Sequence, residues 1–133
     1  MTTVTANLNA IGIAPILTVN DLDASTKFYE KLGFTIEERY EQLGKLNGVR
    51  MVAGQARINL TQDDFAKGRD RQKGVGMRFF LPVDQDVDEL AAAVKATGLA
   101  VDGPKDVHWG RTFMLTDPDG FNVTVARVQN GRM

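Results

Sequence analysis

The sequence predicts an α+β fold built from two copies of one unit, a strand followed by a helix and three more strands. Three observations carry this. The order of strand and helix signals repeats along the chain. Short segments of the two halves echo one another: Val19-Asn20-Asp21-Leu22 with Val83-Asp84-Gln85-Asp86, and Leu32-Gly33-Phe34 with Thr97-Gly98-Leu99. The length of 133 residues suits one ordinary domain. A unit of about 55 residues buries too little surface to be robust alone, so the two copies must share an interface, within one chain or between chains.

The first ten residues are polar and expected to fray. Ile11 to Val19, rich in Ile and Val, reads as a strand. Asn20-Asp21 breaks it and offers a helix cap. Asp21 to Leu32 reads as a helix, with Ala24, Phe28 and Leu32 spaced by four and Tyr29 widening the stripe. Gly33 sits where a glycine ends helices. Strands are expected at Phe34 to Tyr40, Val49 to Ala53 and Ala56 to Thr61. In the last, Ala56, Ile58 and Leu60 alternate with Arg57, Asn59 and Thr61. Gln62 to Lys73 mixes both charge signs without a pattern and reads as a solvated surface loop. The second unit follows: a strand over Val75 to Val83, a helix over Asp84 to Thr97 with Val87, Leu90, Ala91 and Val94 on one stripe, and an extended piece over Leu99 to Val101 leading to Gly103-Pro104. Strands over Arg111 to Thr116 and Phe121 to Val128 flank the turn Asp117-Pro118-Asp119-Gly120. Asp117, Asp119 and Gly120 are read as turn formers, and Phe28 and Tyr29 as helix core or dimer contact.

Composition excludes several functions. The net charge of -1 supports neither charge-driven wrapping of nucleic acid nor a polybasic membrane tether. No apolar run approaches the roughly 20 residues that cross a bilayer. The first ten residues lack the basic start and apolar core of a secretory leader, so a cytoplasmic location is expected. The absence of Cys removes disulfides, thiolate nucleophiles and Cys-bound zinc.

Two segments resemble the vicinal oxygen chelate superfamily, which includes glyoxalase I, the bleomycin-resistance proteins and the extradiol dioxygenases. One is Ile16-Leu-Thr-Val-Asn-Asp-Leu-Asp-Ala-Ser-Thr-Lys-Phe-Tyr-Glu-Lys-Leu-Gly-Phe34; the other is Trp109-Gly-Arg-Thr-Phe-Met-Leu-Thr-Asp-Pro-Asp-Gly-Phe-Asn-Val-Thr-Val125. The resemblance implies one domain over residues 11–128 with βαβββ modules at 11–66 and 75–128, preceded by a flexible segment, 1–10. It implies two curled mixed sheets forming a cup with the helices outside. It also implies a homodimer whose pockets draw on both chains. Fold does not fix activity here, because the superfamily hosts lyases, oxygenases, transferases and drug binders.

Enzymatic members hold a divalent metal with His, Glu or Gln at four strand positions. Carried onto this chain, these fall at Ala14, Asn59, Arg78 (or Met77 if the register slips by one) and Thr124. Ala14 has no ligand atom, Asn59 and Thr124 are weak neutral ligands, and a cationic Arg78 repels a metal. The only imidazole, His108, lies outside these positions and is read as a loop residue rather than a general base. No metal and no cofactor are therefore expected, and no catalytic residue is assigned.

Strand parity assigns the cup's lining instead. With Asn59 facing inward, so do Arg57 and Thr61. Ile16 shares the parity of Ala14, and Phe80 that of Arg78. Thr124 and Met114 face the cavity, while Phe113, Leu115, Phe121, Val123 and Val125 enter the core. Trp109 borders the pocket. The candidate ligand-binding set is Asn59, Arg78, Phe80, Trp109, Met114, Thr124, Ile16 and Arg57. Apolar and aromatic walls with few polar groups suit a small flat molecule, and an Arg favours an anionic oxygen group. Arg57 and Arg78 have a second reading, as cross-strand partners of carboxylates. The function expected is metal-independent binding of a small aromatic or anionic molecule, with antibiotic or toxin sequestration as its use. The alternatives are a divergent metal-dependent lyase or dioxygenase and a structural dimer with a vestigial pocket.

Overall fold

The computed structural model describes residues 6–128. Half of the segment expected to fray, residues 1–5, lies outside them; residues 6–10 are irregular and exposed. Among the described residues there are two helices and eight strands, and the strands form two four-stranded mixed sheets, neither closed into a barrel.

The first half comprises β1 (Ile16–Val19), α1 (Leu22–Leu32), β2 (Thr35–Gln42), β3 (Lys45–Ala53) and β4 (Ala56–Gln62). The second comprises β5 (Arg78–Pro82), α2 (Val87–Ala96), β6 (Asp102–Val107), β7 (Gly110–Thr116) and β8 (Asn122–Val128). The sheets run in the orders β1-β4-β3-β2 and β5-β8-β7-β6. In each, the first strand pairs in parallel with the last and the other pairs are antiparallel. This is the βαβββ unit, twice.

The helices start where short carboxylates cap them. Asp21 Oδ1 accepts from the Ala24 N–H at 3.1 Å, and Asp86 Oδ1 from the Glu89 N–H at 3.1 Å. The second cap lies two residues later than the expected helix start, so Asp84 and Gln85 belong to the connection. After α1, Gly33 adopts φ 123° while its N–H reaches the carbonyls of Tyr29 and Glu30. A side chain would be strained there.

Several strand boundaries differ from the sequence reading; β5 covers only Arg78–Pro82 of the expected Val75 to Val83, and β2 runs on to Gln42. β1 begins at Ile16, because Ile11 and Ile13 are exposed and Pro15 offers no N–H to continue the ladder. β3 begins at Lys45, four residues early, since the Leu43-Gly44 turn lets the hairpin with β2 extend to its tip. The extended piece expected over Leu99 to Val101 is irregular, and the strand follows it: β6 is an edge strand that runs through Gly103-Pro104 with a register shift between Asp102 and Lys105. An edge position tolerates the proline of Gly103-Pro104.

Parity is regular along β1 and β4. Leu17, Val19, Val49, Met51, Ile58 and Leu60 are buried from the first sheet, and Phe113, Leu115, Val123 and Val125 from the second. They join Tyr29, Phe34, Val87, Ala91 and Val94 in one core cluster. Full burial of such side chains contributes about 1.5–3 kcal/mol each.

The halves meet where α1 touches the β7–β8 turn. The Tyr29 hydroxyl donates to Asp117 Oδ2 at 2.7 Å, in a buried bond. Asp117 Oδ1 accepts the N–H groups of Asp119 and Phe121, each at 2.9 Å. Asp119 in turn accepts from the Asn20 N–H at 3.1 Å. Burial raises the Tyr29 hydroxyl pKa, and the adjacent Asp117 charge adds to it. Burial also pushes the Asp117 carboxyl up, opposed by these hydrogen bonds. The aspartates form the turn, as expected, and also join the halves.

The connection after β4 is not simply a solvated loop. Lys73 and Asp63, each with a side chain 6% exposed, pair at 2.8 Å, and Lys73 also donates to Asn20 Oδ1 at 2.6 Å. Each of these secluded charges has a partner, the condition under which a buried charge is tolerated. The hydrogen bond from Lys73 holds the Asp63 carboxyl below its ordinary pKa, helped by the Phe65 N–H.

Candidate ligand-binding site

Each sheet presents a second face, opposite the core. Across the first sheet one row reads Ile16, Asn59, Arg50 and Glu38, set by the registers Ile16↔Asn59, Arg50↔Asn59 and Glu38↔Arg50. Ile16 is 70% exposed and Asn59 half-buried. A register shift between Ile36 and Glu38 brings two successive glutamates to Arg50. Arg50 Nε lies 3.0 Å from Glu37, though its N–H is not aimed at that oxygen, and the Arg50 guanidinium also pairs with Glu38. Arg57 donates to Glu37 at 3.3 and 3.4 Å. Its cross-strand pairing is thus the arrangement seen. The Arg57 guanidinium, with Arg50 beside it, holds the Glu37 carboxyl below the usual range. Arg50 lies between the core residues Val49 and Met51, so strand alternation carried the signal for it; the glutamates had none, because the irregularity in β2 breaks the alternation.

Across the second sheet the row reads Phe80, Thr124, Met114 and Asp102. Arg78, the first residue of β5, stands beside Asn122 on the same face. Phe80 and Trp109 meet edge to face with ring centroids 6.5 Å apart. The hydroxyl groups of this face are engaged internally: Thr124 donates to Asn122 Oδ1 at 2.8 Å and Thr112 to the Val125 carbonyl at 2.8 Å. Thr124 is 1% exposed, too covered to reach a ligand without a shift of its neighbours. The indole Nε1 of Trp109 is buried with no partner. An unpaired buried donor is costly, and an acceptor brought by a ligand relieves it. His108 is exposed in the β6–β7 turn, its ring 4.7 Å from Trp109.

The faces do not fit a divalent cation. Ala14 precedes β1 and is exposed, Thr124 already donates to Asn122, and Arg78 is cationic. Among the described residues no three His, Cys, Asp or Glu side chains gather as a metal site.

A groove of about 520 Å³ opens at the end of the second sheet where β6 and β8 begin and β7 ends. Phe28, Leu99, Val101, Met114, Pro118 and Asn122 line it. Of the eight candidate residues only Met114 belongs to it. The single chain thus brings Phe80 and Trp109 together on one face, and Asn59, Arg57 and Ile16 on the other sheet's face.

The comparisons agree with this architecture. A model of the Glyoxalase/Bleomycin resistance protein/Dioxygenase superfamily matches residues 8–125. The chain belongs to this superfamily. Among solved structures it is similar to TnmS3, an antibiotic binding protein from Streptomyces sp. CB03234, at 28% identity and TM-score 0.68, over 92% of this chain and 100% of that one. A glyoxalase/bleomycin resistance protein from the same organism is 29% identical with TM-score 0.63, over 86% of this chain and 97% of that one. The bleomycin resistance determinant encoded on transposon Tn5 shares the fold at 20% identity and TM-score 0.69, over 90% and 99% of the two chains. A search of curated proteins gave no match. No helix among the described residues is long and apolar enough to cross a membrane.

Proposed function

We propose that this superfamily member binds a small, flat, partly anionic molecule without a metal, as an antibiotic- or toxin-sequestering protein, in a pocket completed by a second copy of the chain. The observation that carries the reading is the chemistry of the open faces: the second carries aromatic rings, an unpaired indole donor and Arg78, and the four ligand positions hold Ala14, Asn59, Arg78 and Thr124. The likeness to an antibiotic binding protein over 92% of the chain supports it. The exposure of Ile16, of Met77 before β5 and of Arg78 supports the second copy, since two open faces lacking a lid make a cavity when apposed.

In this reading Phe80 and Trp109 stack on the ligand, Trp109 Nε1 donates to its acceptor, and Arg78 meets its acidic group. Asn59, Arg57 and Ile16 reach it from the partner's first sheet, and Met114 completes the wall, which Thr124 joins only when its neighbours shift.

The chain has a single tryptophan, so its fluorescence reports on this site alone. Protein stripped with a chelator is titrated with flat aromatic antibiotics bearing a carboxylate or phenolate, and its mass is followed by sedimentation. The reading expects saturable quenching at one ligand per protomer and a dimer. Stoichiometric uptake of Ni²⁺, Zn²⁺ or Fe²⁺ with a gain of lyase or dioxygenase activity overturns it.

A further inference from the structure

We infer that the groove at the end of the second sheet is itself a binding subsite for the apolar body of an elongated, amphipathic anion whose acidic head sits at Arg78. The inference rests on the small-molecule reading above and goes further, by assigning a place and a shape of ligand that the open faces do not specify. The groove's volume falls within the range of small-molecule sites, and Phe28, Leu99, Val101 and Met114 give it apolar walls.

One charged residue, Asp102, lines it, and Arg78 stands just outside it on the other side. Arg78 stands beside Asn122, a lining residue, at the first position of β5. Arg50, Arg57, Arg71 and Arg111 each have a carboxylate within ion-pair distance; Arg78, like Arg39, Arg69 and Arg127, has none among the described residues. Asp102 lines the opposite side, on β6, and is paired with Lys105 at 3.2 Å. The sheet order places β5 and β6 three strand spacings apart, about 14 Å. A negative head at Asp102 meets a carboxylate, and one at Arg78 meets a guanidinium that binds carboxylate or sulfonate through two parallel donors. The polarity therefore fixes the orientation: head at β5, body across Asn122 and Met114, and tail between Leu99, Val101 and Phe28.

The test uses two dyes of one skeleton, 8-anilinonaphthalene-1-sulfonate and its uncharged relative N-phenyl-1-naphthylamine. Folding of each variant is checked by its thermal unfolding. The wild-type chain is expected to bind the sulfonate saturably at one per protomer. Arg78→Gln, at an exposed position, weakens sulfonate binding about tenfold and leaves the neutral dye unchanged. Ala100→Trp fills the groove from an exposed position and weakens both dyes at least tenfold. Absence of saturable sulfonate binding overturns the inference, and so does a loss in Ala100→Trp with none in Arg78→Gln. If Trp109→Phe alone weakens the sulfonate, the groove is not the subsite and the open-face reading stands.

Discussion

The two halves repeat one topology and use their charges in opposite ways. On the first sheet's open face, Arg50, Arg57, Glu37 and Glu38 neutralise one another. On the second, the face is covered by Phe80 and Trp109, its hydroxyls bond within the sheet, and Arg78 is left without a carboxylate at the rim. The turns differ likewise. β3 and β4 join through a tight Gly54 turn, while β7 and β8 join through a turn organised by the buried Asp117 carboxylate, which also receives the Tyr29 hydroxyl. The βαβββ unit fixes which residues point away from the core. It does not fix what they do there.

The largest contrast is expected at the turns. Asp117→Ala leaves the Tyr29 hydroxyl and two backbone N–H groups without an acceptor and is expected to cost about 3–4 kcal/mol in urea unfolding. Gly54→Ala, at φ 58° with open space around the added Cβ, costs about 1 kcal/mol. Equal losses from the two variants would remove the distinction between the turns.

The open strands come next. Phe80→Ala strips a half-buried ring from the second face and is expected to cost about 2 kcal/mol, less than for a fully buried Phe. Ile16→Ala, at the exposed start of β1, stays within about 0.5 kcal/mol in dilute protein. A larger loss that grows with protein concentration would show a second copy covering Ile16.

The charges give a smaller effect, read as a titration. Arg57 holds the Glu37 carboxyl low, so the stabilisation is complete above the ordinary Glu pKa and is lost as pH falls through the lowered value. Arg57→Gln is expected to raise the Glu37 pKa in a carboxyl NMR titration and to shrink that acid-side loss. Arg78→Gln is expected to move no carboxyl on the second face.

The smallest effect is a gain. Leu43 is 97% exposed and sits at φ 52° beside Gly44 at φ 77°. Leu43→Asn keeps the turn with a residue that tolerates this conformation and is expected to add about 0.5–1 kcal/mol in thermal unfolding.

Much of this fold is legible in the residues. The alternation of Ala56 to Thr61, the stripe of α1 and its capping Asp21 locate most of the first half, because each is a local pattern tied to one geometry. β6 was hidden, since whether Gly103-Pro104 can sit in a strand depends on that strand having a free edge, a non-local fact. The same holds for the site. Parity placed Phe80, Thr124 and Met114 in one row, but not the covering of Thr124 or the extra glutamate at Arg50. The groove joins Phe28 of α1 to the start of β6, residues far apart in the chain, so no local signal announces it.

The ion pair of Asp63 with Lys73 closes the ends of the inter-module connection on each other, and Lys73 reaches back to Asn20. The intervening residues therefore bridge a gap that is already shut. A single proteolytic nick at Arg69, or expression of the chain as two polypeptides divided there, should leave a noncovalent pair of fragments that migrate and melt as one molecule.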